Sequence, residues 1–281
     1  MLLADNDPEI FLAKGRPQLC SISASSGVDV FSYFDQELEE TNTFSWVDKV
    51  ERRRMSFSTG AVYDGEWKGS KRHGFGIQTW PDGAVYSGDW FDNKANGHGR
   101  IVHSAGDVYI GQWKNNVAHK RGTLYHMGGM TYAGEWLHDR QDGFGVESCK
   151  DGTRYAGNFK CGKKHGWGTY HWVDGSSYTG SLIANHMHGL GVYEGVSGFS
   201  FKGTWHDSLK HGVGQYTWPD KRQYAGQYVL DKKDGVGAFR LSNGCRYEGF
   251  WKLGKRHGHA RCWAKDGSIT MTRWADGVRA D

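Results

Sequence analysis

Tyr63, Gly65 and Trp67, spaced two apart, begin a pattern that returns every 23 residues. It restarts at Tyr86, Tyr109, Tyr132, Tyr155, Tyr178, Phe201, Tyr224 and Tyr247, so nine units follow one another without an insertion. A fixed period of this length restricts the chain to a stack of like supersecondary units, none able to bury a core alone. Side chains at i, i+2 and i+4 leave one face of an extended backbone, so Tyr63 to Trp67 reads as a strand. The polar stretch Lys68 to His73 reads as a turn and Gly74 to Trp80 as a second strand; Pro81-Asp82-Gly83 then turns the chain back. Each unit is therefore predicted to be a β-hairpin. The whole is predicted to be an all-β, elongated, single-layer antiparallel meander, about 85 Å long at roughly 4.8 Å per strand.

Gly74 and Gly76 are expected to face the aromatic side of the preceding strand, with rings lying over them to restore the area a missing side chain leaves open. The same face takes in Gln78, Trp80 and their counterparts in later units, whereas Asp64, Glu66, Asp89 and Glu135 fall on the other face.

The combination Y-x-G-x-W followed by H-G-x-G, seen in Tyr63 to Gly76 and recurring through the array, resembles the MORN (membrane occupation and recognition nexus) repeat. The resemblance runs from Tyr63 to about Asp281. Lys120, Leu182 and Ala260 depart from it, standing where a glycine, a Trp and a glycine recur. It implies tandem hairpins and a role as a cytoskeletal, ciliary or membrane-associated adaptor. Related arrays also precede phosphatidylinositol-phosphate kinase and SET-family methyltransferase domains, and they self-associate through C-terminal repeats. A homodimer through those repeats and an in-trans regulatory subunit of such a kinase are thus further expectations.

Residues 1–40 lack the repeat and are expected to form a leader with a short capping helix, in which Phe31, Phe34 and Leu38 share one helical face. Residues 41–281 form the array: a degenerate lead-in at 41–62 with Phe44 at a Trp position and Met55 and Phe57 facing the core, nine repeats at 63–269, and a partial final strand at 270–281 that carries Trp274. Arg53-Arg54-Met55-Ser56 resembles a basophilic-kinase motif, although a basic run at a domain start is ordinarily just solvated. The 42 glycines, 13 tryptophans and 14 tyrosines, against 4 prolines, are the composition of a glycine-aromatic β-repeat. No apolar run approaches the roughly 18 residues a membrane helix needs. The first residues carry neither a positive cluster nor a long apolar stretch, and Leu2 is unsuited to N-myristoylation, so neither a secretory signal nor that lipid anchor is expected. Five cysteines without a shared spacing imply free thiols and a reducing compartment. Cytoplasmic residence follows, with peripheral attachment to membrane or cytoskeleton.

No catalytic signature is present, and neither an enzyme nor a cofactor is expected. His73, His119, His165, His188, His211 and His257 recur at one place in the unit, but successive members stand about 10 Å apart or more, too far to share a metal ion. No metal site is expected. The aromatic face is the candidate partner groove, lined in its central units by Tyr132, Trp136, Tyr155, Tyr170, Trp172, Tyr178 and Tyr193, and its expected occupant is a protein, presented as an amphipathic helix. The second candidate is the turn margin. In the six residues after each Trp position, fifteen residues are basic and six acidic. Lys68, Lys71, Arg72, Lys160, Lys163 and Lys164 belong to this margin, as do Lys232, Lys233, Lys252, Lys255 and Arg256. It is expected to attract an anionic phospholipid such as a phosphoinositide. Nucleic acid is not an expected partner, because the rings that would stack on bases are committed to the core face.

Overall fold

The alternation of ring and polar residue around Tyr63 and the glycine-bearing turns after it dictate short antiparallel strands joined by tight connections. A computed structural model describes residues 34–42 and 49–280 and has that architecture. Phe31 and Phe44 lie outside the described residues, as does the side chain of Phe34. The chain divides into two units, with the boundary between Lys163 and Lys164.

In the first unit a helix, α1 (Phe34–Asn42), precedes ten strands: β1 (Val50–Ser56), β2 (Val62–Lys68), β3 (Lys71–Thr79), β4 (Val85–Phe91), β5 (Lys94–Val102), β6 (Val108–Lys114), β7 (Val117–Tyr125), β8 (Thr131–Leu137), β9 (Arg140–Ser148) and β10 (Arg154–Lys160). Each pairs antiparallel with the next. The second unit repeats the scheme through β11 (Lys163–His171), β12 (Ser177–Ile183), β13 (His186–Glu194), β14 (Ser200–His206), β15 (Leu209–Thr217), β16 (Gln223–Val229), β17 (Lys232–Arg240), β18 (Arg246–Lys252), β19 (Lys255–Trp263), β20 (Ile269–Ala275) and β21 (Val278–Arg279). These too pair in sequence order.

Gly65 stands directly opposite Gly76, and the Tyr63 ring lies across the pair. Its hydroxyl donates to the Glu66 carbonyl at 3.0 Å. Its ring meets Trp67 and the next repeat's Trp90 edge-on, at 5.0 and 5.3 Å. The geometry recurs at Tyr86, Tyr109 and Tyr132 in the first unit and at Tyr224 in the second. The indole N–H of Trp90 donates to the Gly76 carbonyl of the preceding repeat. Edge-to-face pairs of this kind add about 0.5–1.5 kcal/mol each beyond burial, so neighbouring repeats hold one another in register. Phe201 keeps the ring but has no hydroxyl to offer.

One expectation is corrected. Lys68 to His73 is not a six-residue turn: β2 runs to Lys68 and β3 starts at Lys71, so Gly69-Ser70 alone make the connection. The equivalent loops carry positive φ at both positions, as at Asp92 and Asn93 (47° and 67°) and at Asn115 and Asn116 (50° and 70°). This is the turn whose twist matches paired strands, and asparagine and aspartate tolerate it best. The side chains lock adjacent repeats, since Asn93 Oδ1 accepts from the Arg72 amide at 2.7 Å and Asp139 Oδ1 from the Ala118 amide at 2.6 Å. The slack is taken up inside the strand. Gly65 to Trp67 spans two residues while the facing Gly76 to Arg72 spans four, a bulge built on His73-Gly74-Phe75 with Gly74 at φ 59°.

Candidate functional site

The seven aromatic residues expected to line a groove are all buried. They are not free platforms. Tyr132 packs on Trp136 at 5.2 Å, Tyr170 on Trp172 at 4.6 Å and Trp172 on Tyr193 at 5.7 Å. The hydroxyls of Tyr132, Tyr155 and Tyr178 are spent on carbonyls of their own bulges. The Tyr132 and Tyr178 rings fill the space over the glycine pairs.

The basic residues divide by strand parity. Lys68, Lys71, Lys160, Lys163, Lys232, Lys252 and Lys255 are exposed, but Arg72, Lys164, Lys233 and Arg256 are buried, together with Lys210. Because the turn is only two residues long, the fifth residue after each Trp position belongs to a strand and shares a face with the paired glycines. Arg72 pairs directly with Trp67, and Lys233 with Tyr228. Five of the fifteen cations assigned to the margin thus belong to the aromatic face. There they sit among rings. Lys233 Nζ lies 4.9 Å from the Trp218 ring, 5.1 Å from Tyr224, 5.4 Å from Phe239 and 5.0 Å from Trp251. Arg256 lies 4.9 Å from Tyr247 and 4.8 Å from Trp274. Desolvated cation–π contacts are worth about 2 kcal/mol or more, which offsets part of the cost of burying the charge. The signal was in the sequence, since 72, 76, 78 and 80 have one parity; Gly74, expected on the same face, is turned by the bulge toward Glu66 on the other.

Helix α1 lies against this face. Glu37 and Arg72 form an ion pair in which both side chains are fully buried. Burial pushes the Glu37 carboxyl above its usual range and Arg72 opposes it; burial likewise lowers the Arg72 guanidinium. Arg72 also stands over Phe57 at 4.9 Å and Trp90 at 5.4 Å. A second tie joins Glu40, whose carboxylate accepts the Ser58 amide at 3.0 Å and its hydroxyl. Nothing in the leader sequence had singled out Glu37 or Glu40.

On the opposite face a polar residue before the Trp position caps the bulge in several repeats. Asp89 Oδ2 accepts the His98 amide at 2.7 Å, Thr204 Oγ1 the Val213 amide at 3.0 Å and Gln227 Oε1 the Val236 amide at 2.8 Å. This holds the middle residue of H-G-x-G outward. In the first unit these residues and their neighbours are mixed in charge. His98, Gln112, Arg121, Glu135 and Phe144 line a groove of about 590 Å³ floored by Gly111, Gly122 and Gly134. In the second unit the same row reads Trp167, Ser181, Leu190, Thr204, Val213, Gln227, Val236 and Phe250, uncharged up to that point, and then His259 and Arg273. Its apolar members are more than half exposed, Leu190 and Val213 at 65% each. This position varies in residue type from repeat to repeat, so no repeated residue marks it in the sequence.

Among the described residues no group of three or more His, Cys, Asp or Glu could hold a metal ion. Two of the repeat histidines lie against rings at the ends of neighbouring strands, His73 on Phe91 at 5.3 Å and His188 on His206 at 5.0 Å.

A family model described as MORN repeat matches residues 63–85, 86–108, 109–130, 132–154, 155–177, 178–199, 201–221, 224–246 and 247–269. No curated protein matches the chain. Among solved structures, the chain is similar to the TCP10 domain of Danio rerio CPAP at 12% identity and TM-score 0.40, over 79% of this chain and 100% of that one. It is similar to the SAS-4 (dCPAP) TCP domain of Drosophila melanogaster, in complex with a proline-rich motif of Ana2 (dSTIL), at 10% identity and TM-score 0.35, over 63% and 90%. A catalytically inactive virginiamycin B lyase from Staphylococcus aureus follows at 8% identity and TM-score 0.16, over 80% and 84%. Scores this low carry no argument about what the chain does.

Proposed function

The chain belongs to the MORN repeat family, and on that premise we propose that it is a non-enzymatic scaffold that binds partner proteins. The observation that carries this reading is the uncharged stretch of the outward row from Trp167 to Phe250, in which Trp167, Leu190, Val213, Val236 and Phe250 are each more than half exposed. Single exposed apolar residues are ordinary, but a contiguous ladder rimmed by polar residues marks an interaction surface. Replacing Leu190 and Val213 together by glutamate tests it. Both are outside the aromatic core, so folding is expected to persist while each loses about 2 kcal/mol of interface burial. Proximity labelling with wild type and variant should show a set of proteins that disappears from the variant. An identical set at equal yield rejects this surface.

A second reading, anionic membrane binding, is supported by two hairpin tips of the second unit. Leu230 and Leu253 occupy turn positions at φ 47° and 50°, costly for a branched side chain, and yet are 52% and 64% exposed. Lys232, Lys252 and Lys255 flank them, exposed. Apolar tips between lysines suit the interface of an acidic bilayer. Leu230→Gly with Leu253→Gly removes the tips and relieves the backbone, so the fold is kept or improved. The double variant should lose flotation with phosphatidylserine vesicles; undiminished flotation ends this reading.

A further inference from the structure

The receptor that α1 occupies has a second copy. Eight repeats of 23 residues, or 184 positions, separate Arg72 from Arg256, and the same interval carries Phe57 to Leu241, Ser58 to Ser242, Tyr63 to Tyr247, Trp67 to Trp251 and Trp90 to Trp274. The turns match, since Phe57 N donates to the Ala61 carbonyl and Gly60 N to that of Phe57, just as Leu241 N donates to the Cys245 carbonyl and Gly244 N to that of Leu241. The cation sits alike. Arg72 lies 5.6 Å from Tyr63 and 5.4 Å from Trp90, and Arg256 lies 4.9 Å from Tyr247 and 4.8 Å from Trp274. At the intervening repeats the cation position holds Ala95, Ala118, Gln141, Lys164, Met187, Lys210 and Lys233, and the turn position holds Pro81, Ser104, Met127, Lys150, Val173, Val196 and Pro219. Arginine and serine occur together only at the two ends.

The occupancy differs. Arg72 is 0% exposed beneath α1, with Glu37 on its guanidinium. Arg256 is 8% exposed and Ser242 is exposed, and the buried Nε of either arginine lacks a hydrogen-bond partner, so the difference between the two is the carboxylate on Arg72. No acidic side chain among the described residues forms an ion pair with Arg256. Leu241, the counterpart of buried Phe57, is only half-buried.

We propose that Arg256 and Ser242 form a docking site for an acidic helix of a partner protein, with a Glu-x-x-Glu pair placed as Glu37 and Glu40 are. The first glutamate takes the guanidinium and the second the turn amide and hydroxyl. The chain's own α1 is committed to Arg72 and Ser58, and among the described residues no helix or carboxylate stands at Arg256, which leaves that receptor to a helix in trans. This rests on the scaffold reading and names the chemistry of one partner, on a face other than the outward row.

A fluorescein-labelled peptide of residues 28–48 serves as the probe, titrated against the full chain and followed by polarisation. Saturable binding is expected, weakened about tenfold or more by Arg256→Gln in the protein or Glu37→Gln in the peptide, the ordinary worth of a charged hydrogen bond. Ser242→Asp, on an exposed turn and harmless to the fold, should weaken it by repelling Glu40. The peptide substitution leaves the protein untouched, so a folding defect in Arg256→Gln cannot produce the result. No binding, binding indifferent to Arg256 and Ser242, or binding lost only with Arg72→Gln overturns the site. So does concentration-dependent self-association of the unlabelled chain that Glu37→Gln abolishes, because a second copy would then be the occupant. Failure on any of these grounds leaves the outward-row test unaffected.

Discussion

Replacing Glu37 by alanine is expected to release α1 from the sheet at a cost of about 3–5 kcal/mol, the penalty of stripping a buried ion of its partner. The Arg72 guanidinium would otherwise be left fully enclosed by Phe57, Tyr63 and Trp90 with its carboxylate gone. Water can reach it only if the helix leaves. Hydrogen exchange should therefore accelerate at the amides of Phe34–Asn42 while β5 to β10 stay protected, and Ser58, which loses Glu40 in the same event, should exchange faster too. Replacing both partners with apolar residues of similar size, Glu37→Leu with Arg72→Met, should restore docking, because desolvating the pair costs much of what the pair returns. A helix that stays protected in Glu37→Ala would mean that the ion pair contributes nothing to docking.

The other large effect is steric. A Cβ built on Gly145 comes within 2.4 Å of the Tyr132 hydroxyl and 2.5 Å of its ring, with Gly134 directly across the ladder. Gly145→Val is expected to cost about 3 kcal/mol, the upper part of the usual range for overpacking, read as a lowered urea midpoint. The ninth repeat shows what a smaller intrusion does. Ala260 stands at the equivalent place, and there the Tyr247 ring is 5.5 Å from Trp251 and 5.9 Å from Trp274, against 5.1 and 5.3 Å for Tyr86 with Trp90 and Trp113. One methyl is accommodated by a ring that retreats a few tenths of an ångström. An isopropyl group in the middle of the row has no such room, since Tyr132 is also held by Trp136 and Phe159. A valine variant as stable as wild type would show that the rings are looser than this packing implies.

What the sequence disclosed follows from which signals are local. The strands, their facing glycines and the Pro81-Asp82-Gly83 turn were legible because period two and turn chemistry act within a few residues. The two-residue loop was not, because Lys68 to His73 is polar throughout and its strand character comes only from pairing Trp67 with Arg72. That single misreading carried Arg72, Lys164, Lys233 and Arg256 to the surface in the prediction; charge was allowed to outweigh parity. The docking of α1 was unreadable for a different reason. Glu37 meets Arg72 across 35 positions, and no short pattern reports such a partner. The outward row escaped notice because Trp167, Leu190 and Val213 share a place and not a residue type.

Within the first unit Tyr63, Tyr86 and Tyr109 each lean on the tryptophan of the following repeat through the same contact. Excising residues 86–108 would therefore bring Tyr63 against Trp113 with nothing mismatched, whereas removing any fraction of a repeat would leave rings facing bare strand. This unit can gain or lose length only in whole increments of about 10 Å, the width of two strands. Such an array serves as a ruler with fixed graduations. The interval between whatever is held at one graduation and another can be reset by duplication or deletion, without redesigning a single contact.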